Sequence, residues 1–466
     1  MPQIGPESFE NIVLRRNGKL GHAAAEVMAA ALNAVDPYSC VQSHLVRDGE
    51  ELEINGESVG LADIGRIYLV GIGKASVPMA KAVLDCLGDL IEKALVVTKD
   101  AKFQAEAGFR DKLEVYLGGH PVPTARSVNA TQEILARIPP LNTDDLVIMV
   151  VSGGGSALFT DPVEGISLSD LQSLTTLLLK SGADIQEINT IRKHLDAVKG
   201  GRLAARWSPA QVQTLILSDV IGDDLDMIAS GPTVADPTSF ADAWGVIEKY
   251  GLVQSLPQSI REILQKRMAG EITETVKPAQ FQKLRVKNHL VGTNHLAAAA
   301  AKERAEELGY QTEILTTTLT GTTDVVAEAL AGTIRERIAA REAEKQPCCL
   351  ILGGETTVNV TGTGKGGRNQ DLVMRMVPFL STVEGLLFIS LATDGDDGPT
   401  DAAGAAADAF VLGDGRDEKG LEIESYIANN DAYDYLQKTG CLIMTGATGT
   451  NVNDLIFIFI DRQKQS

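Results

Sequence analysis

The feature that most constrains this chain is a repeated pattern of short strands, apolar on both faces, each followed by a glycine turn and a helix-like stretch. Arg66–Gly73 (RIYLVGIG) runs directly into KASVPMAKAVLDCL, and Lys93–Lys99 (KALVVTK) follows. Next come Asp145–Gly154 (DLVIMVVSGG), a helix near Leu168–Lys180, and Thr214–Val220 (TLILSDV). A strand without a polar face needs cover on both sides, and strands alternating with helices build a parallel sheet flanked by helices. An alanine-rich helical entry segment over about 7–35 precedes the first strand.

The pattern breaks between about Pro237 and Lys287, where charged helical stretches end in TETVKPAQFQK, a segment that reads as a crossing between domains. It then resumes with VKNHLVGTN, HLAAAAAKERAEELG and YQTEILTT. The helix from Asp324 to about Glu342 has Val326, Leu330, Ile334 and Ile338 along one face. CCLILGGETT, NQDLVMRMVPFL, GLLFISLATDG and LIFIFID complete the chain. At 466 residues one core is unexpected, and the break predicts two α/β domains, 1–280 and 281–466, with largely parallel sheets.

Charge and cysteine content narrow the function. A formal net charge of −20 disfavours nucleic acid and anionic membrane surfaces as partners. An anionic substrate then needs a local cationic site. Cys40, Cys86, Cys348, Cys349 and Cys441 lack metal-ligand spacing and fit a reducing cytoplasm. The N-terminus has no signal-peptide core, and no stretch approaches the roughly 20 apolar residues that span a bilayer. A cytoplasmic location is expected, and a homodimer is one option left open.

Ligands of open α/β sheets gather beyond the carboxyl ends of strands. Glycine-bearing exits stand at Gly71–Ser76, Ser152–Ser156, Gly292–Asn294, Gly353–Glu355 and Gly446–Asn451. A glycine turn opening a helix offers unpaired N–H groups and the positive end of the helix dipole to phosphate or carboxylate. Ser152, Gly153, Gly154, Gly155 and Ser156 with Arg192 are the candidates for an anionic substrate. Gly71, Gly73, Gly292, Asn294, Gly353, Gly354, Glu355, Gly366 and Gly367 are the candidates for a nucleotide.

Lys74 opens a helix just past its strand, where it can meet a bound anion; a solvated lysine is the plain alternative. Arg368 ends the run TGTGKGGR, and guanidinium matches phosphoryl oxygens bidentately. That run is not a Walker A loop, since Gly366 follows Lys365. GIGKAS lacks the third glycine of a dinucleotide fingerprint, which weakens a nicotinamide reading. Asp219 is placed to take a hydroxyl proton, and Asp394 and Asp396 to hold Mg2+, though helix capping explains many such acids. His120 reads as a residue of a proline turn. Zinc and serine hydrolase motifs are absent.

The ordered set GIGKAS, GGHPVPTARSV, VVSGGGSALF, INTIRKHLDAVKGGRLA, LSDVIGDDLDMIASGPT, ILGGETTVNVTGTGKGGRNQDL, ATDGDDGPTDAAGA and TGATGTNVNDL resembles the class II glycerate kinases. Relatives of these enzymes have also been labelled hydroxypyruvate reductases. The likeness runs from about Gly71 to Leu455. It implies a larger Rossmann-like N-terminal domain, a smaller C-terminal domain and a cleft between them. It also implies ATP- and Mg2+-dependent phosphorylation of D-glycerate to 2-phosphoglycerate. The family's lysine and arginine fall on Lys74 and Arg368, and the carboxylates of its SDV and GGET motifs on Asp219 and Glu355. Asp196 departs from the pattern, standing where a small hydroxyl residue is usual. An NAD(P)H-dependent hydroxypyruvate reductase and a non-catalytic sugar-acid sensor are the competing expectations.

Overall fold

The computed structural model describes residues 3–106, 108–340 and 346–461. Its contacts divide the chain into two compact units, Pro37–Val291 and Met1–Asp36 with Gly292–Ser466.

The Pro37–Val291 unit is built on a six-stranded sheet. From edge to edge its strands are Leu113–Leu117, Ile91–Thr98, Ile67–Ile72, Leu146–Val151, Gln211–Leu217 and Val286–Gly292. The four pairings from Leu113–Leu117 through Gln211–Leu217 are all parallel, as the doubly apolar strands predict. Val70, Ile72, Leu95, Val97, Met149 and Val151 pack with Ile134, Leu158 and Trp207 from the covering segments. A small antiparallel meander over 45–60 precedes the sheet and was not apparent in the sequence pattern.

The stretch from Pro237 to Lys287 is not a crossing. Its helices Phe240–Lys249 and Gln258–Met268 bury Phe240, Ile247, Ile260 and Leu264 against Leu174, Leu178, Ile188 and Ile191, forming a second core in the same unit. Asp242, Glu248, Lys249, Glu262 and Lys266 occupy the outer faces of these amphipathic helices, whereas Arg267 is buried and donates to the His194 carbonyl.

The other unit corrects two expectations. Its sheet runs Gln311–Leu319, Cys348–Gly354, Asp454–Ile460, Leu386–Ala392, Gly404–Asp408, Leu442–Ile443. The first pair is parallel and the remaining four are antiparallel, so this sheet is mixed rather than largely parallel. The final strand, LIFIFI, inserts between two others and runs against both.

The second correction concerns the expected division at 280/281. The N-terminal segment joins this unit because the Lys19–Ala34 helix packs along the Asn294–Glu307 helix, an Arg304–Glu26 ion pair adding to the contact. Arg16 likewise binds Asp408 and Asp414. The helix with the Val326 stripe spans Thr323–Ala340, and Glu342 lies outside the described residues. No helix among the described residues is long and apolar enough to cross a membrane.

Candidate active site

In the Pro37–Val291 unit, two strand exits are laced together. Ala75 N–H donates to Ser152 Oγ (3.0 Å), Lys74 N–H to the Gly153 carbonyl (2.9 Å) and Ser152 N–H to the Ile72 carbonyl (3.0 Å). Ser152 is 1% exposed, so its hydroxyl fastens the turn. Gly71 lies inside its strand between Val96 and Val150, and Gly73 presses on Ser152.

The centre of the turn is where the predicted groups meet. A side chain at Gly153 would collide with the Asp219 carboxylate. One at Gly154 (φ +81°) would lie 2.8 Å from the His120 ring and 3.4 Å from Lys74 Cε. Glycine is required here because three side chains close over bare backbone. Lys74 and Asp219, chosen from sequence, therefore flank adjacent glycines. Among the described residues the Lys74 ammonium has no protein partner, which distinguishes it from the paired Arg66, Lys193 and Lys199 of the same unit. His120, read as a turn residue, stands beside Lys74. Burial, with the charges of Lys74 and Lys99, holds its pKa down at about 4, so its imidazole is neutral.

The helix expected after this turn is a single turn, Gly155–Leu158, so the helix-dipole argument carries little there. What holds it is a hydroxyl relay. Ser230 Oγ donates to Asn189 Oδ1 (3.1 Å), which leaves Ser156 Oγ to donate to Ser230 Oγ (2.8 Å). Ser230 and Ala229 both sit at positive φ, 61° and 51°, a conformation that non-glycine residues seldom adopt. Gly155 packs against Ala229.

Arg192 lies three residues beyond Asn189 on the Ile185–His194 helix, and its side chain has no hydrogen bond or ion pair among the described residues. Burial pulls its pKa below the ordinary value, with Asp196 opposing. Asp196 itself is engaged: it pairs with buried Lys199 (2.8 Å), accepts from Thr160 Oγ1 (2.5 Å) and caps Val198 N–H (3.0 Å). Its departure from the family pattern thus serves an internal scaffold.

The second cluster belongs to the other unit. Arg368 opens the Arg368–Leu380 helix and is clamped by Asp454 (Nε–Oδ2 2.5 Å, Nη2–Oδ1 3.0 Å) and by Glu355 (2.5 Å), while Asn453 Nδ2 donates to Glu355 Oε2 (3.1 Å). Burial pushes the Asp454 carboxyl up, to about 7, and the guanidinium pulls it back. The same contact raises Arg368 above its ordinary value. With two hydrogen bonds joining them, we take the pair as ionised. Asp454 was not singled out from sequence; its signal was an acid opening an otherwise wholly apolar strand.

The remaining candidates have defined structural places. Asn294 donates from Nδ2 to the Val452 and Asp454 carbonyls (2.8 and 2.9 Å), and Gly353 makes room for its amide. Gly292 ends the Val286–Gly292 strand, and Gly354 abuts Leu319. Gly366 packs on Ala432 and Gly367 on Asp397, whose carboxylate caps Asn369 and Gln370 N–H.

The glycine-rich run before Arg368 is not an open cradle. Thr361 and Gly362 N–H donate to Asn430 Oδ1 (both 2.8 Å), Thr363 N–H to Asn429 Oδ1 (3.0 Å), Gly364 N–H to the Asn429 carbonyl (2.9 Å) and Lys365 N–H to Asp431 Oδ1 (3.0 Å).

Asp394 and Asp396 adjoin, with Asp396 N–H donating to Asp394 Oδ1 (3.2 Å). No group of three or more metal-ligating side chains occurs among the described residues. Two carboxylates nevertheless suit Mg2+, which binds through one or two such groups together with phosphate oxygens.

An open sheet whose strand exits gather an unpaired lysine, a carboxylate and a neutral imidazole defines an α/β enzyme class that handles small anions. Comparison with known proteins specifies which. Residues 23–265 match the family described as a domain of unknown function (DUF4147), and residues 348–454 match the MOFRL family. The chain is 41% identical to the D-glycerate 2-kinase of Thermotoga maritima, across 93% of this chain and 96% of that one. It is 38% identical to the glycerate 2-kinase of Pyrococcus horikoshii, across 94% and 97%. The crystal structure of the Thermotoga maritima glycerate kinase superposes with a TM-score of 0.82 at 40% identity, covering 94% of this chain and 98% of that one. The chain belongs to the glycerate 2-kinase family.

Proposed function

We propose that the chain transfers the γ-phosphoryl group of ATP to the 2-hydroxyl of D-glycerate. The observation that carries this is the arrangement on Gly153 and Gly154, where a carboxylate and an unpaired ammonium flank one turn. The names of the relatives support the substrate and the position of transfer.

In this reading Arg192 and the N–H groups of the Gly153–Ser156 turn receive the glycerate carboxylate. Asp219 orients the 2-hydroxyl and accepts its proton as that oxygen bonds to the γ-phosphorus; the bond from phosphorus to the β-phosphate oxygen breaks and ADP leaves. Lys74 neutralises phosphoryl oxygens. Phosphoryl transfer depends mainly on such positioning and charge neutralisation. In the other unit, Arg368 is held rigid by Asp454 and Glu355, and only the N–H donors that these three hydrogen bonds leave over would serve ATP phosphate. Asp394 and Asp396 would hold Mg2+, which supplies further neutralisation of phosphate charge. A cytoplasmic location fits the five free cysteines.

The test is ADP release by the purified chain with D-glycerate and MgATP, run beside NADH oxidation with hydroxypyruvate. Glycerate-dependent ADP without NADH oxidation is expected. NADH oxidation without ADP formation would sink the proposal in favour of the reductase.

A further inference from the structure

His120 has no role in the phosphoryl transfer just described, yet from its bend before Pro121 the ring reaches the glycine turn. Its ring Cδ2 and Nε2 lie 2.8 and 3.1 Å from the point where a Gly154 side chain would begin, and Lys74 Cε is 3.4 Å from the same point. Imidazole and ammonium stem thus converge over the turn that adjoins Asp219.

The ring is also uncommitted. His44 Nδ1 engages the Cys40 carbonyl (2.7 Å), His194 Nδ1 the Thr190 carbonyl (2.7 Å) and His289 Nε2 the Gln213 side chain (2.8 Å). Neither nitrogen of His120 has a protein hydrogen-bond partner among the described residues. A half-buried polar ring without a protein partner leaves its donor and its acceptor open to a ligand.

The chemistry selects which ligand group it meets. Glycerate carries a carboxylate, a 2-hydroxyl and a 3-hydroxyl. Cations suit the carboxylate and the phosphoryl oxygens, and Asp219 suits the hydroxyl that loses its proton. A neutral imidazole offers one donor and one acceptor, the complement of a hydroxyl that stays intact. Burial and two neighbouring lysines keep the ring in that form.

We propose that His120 is a specificity-determining residue that hydrogen-bonds the 3-hydroxyl of the substrate. The inference rests on the glycerate reading. It implies discrimination against D-lactate, which keeps the carboxylate and 2-hydroxyl but has a methyl group in place of the hydroxymethyl.

Calorimetric binding of D-glycerate and D-lactate to the wild type, His120→Ala and His120→Asn tests it, with kcat/KM measured alongside. The wild type should prefer glycerate by roughly tenfold to a hundredfold, from one hydrogen bond and the cost of leaving its partner unpaired. H120A should lose most of that preference by weakening glycerate while changing lactate by less than about threefold, and H120N should restore part of it. A preference unchanged in H120A, or equal weakening of both ligands, overturns the proposal and assigns His120 a structural role. Glycerate binding without turnover would instead defeat the kinase reading and leave the binding ratio to decide His120. Absence of glycerate binding would overturn both.

Discussion

The turn at Ser152–Ser156 and the run at Thr361–Arg368 look alike in sequence, each a glycine cluster leading into a helix, yet the two are built in opposite ways. In the first, the glycines are recesses into which Asp219, His120 and Lys74 fold, and the ammonium is unpaired. In the second, five successive N–H groups are occupied by residues 429–431, and the guanidinium is clamped by two carboxylates. Glycine content alone does not say whether a loop is open to a ligand. What decides is whether its donors and cations already have partners.

The largest effect should come from breaking the clamp. Arg368→Ala leaves Asp454, 5% exposed, without its cation, and removing one member of such a pair should cost about 3 kcal/mol or more in urea unfolding. Lys74→Ala should leave the unfolding midpoint nearly unchanged while lowering kcat/KM at least about a hundredfold, close to 2.7 kcal/mol of transition-state stabilisation. Equal stability losses in the two variants would erase the contrast between a free and a clamped cation. Asn430→Ala removes the acceptor of Thr361 and Gly362 N–H and should cost about 1 kcal/mol, with faster amide exchange over 361–365. Unaltered exchange would mean that the loop is held by other means.

A further effect is one of pH. His120 titrates at about 4 when folded against an ordinary 6.5. Between these values the unfolded chain binds the extra proton, so stability falls as pH drops from 6.5 towards 4 and is unaffected above. Wild type should therefore lose stability relative to H120N across that window. A parallel pH dependence of the two proteins would place His120 in a more solvated setting.

Much of the first unit was legible because its strands, such as LVIMVV and TLIL, are apolar on both faces and alternate with helices. The same composition misled for the second sheet. LIFIFI and LLFISLA carry no mark of direction, and antiparallel insertion of the last strand is set by where the chain returns, not by periodicity. Lys74, Asp219 and Arg368 were readable as charged residues at strand exits or helix starts. Asp454 was not, because its partner lies 86 residues away in sequence. The Asn429–Asp431 run that fills the glycine loop and the left-handed Ala229–Ser230 pair depend likewise on contacts that no local pattern announces. His120 stands in the bend that its proline neighbours announced, but the placing of its ring beside Gly154 and Lys74 was announced by no local pattern.

The central claim is transfer to one particular oxygen of glycerate, and proton-coupled phosphorus NMR of the product reads it directly. With D-glycerate and MgATP the organic phosphate signal should be a doublet, split by the single C2 proton of 2-phosphoglycerate, and should be nearly absent with K74A. A triplet, from the two C3 protons of 3-phosphoglycerate, or the lack of any new phosphate ester with the wild type, would contradict the account.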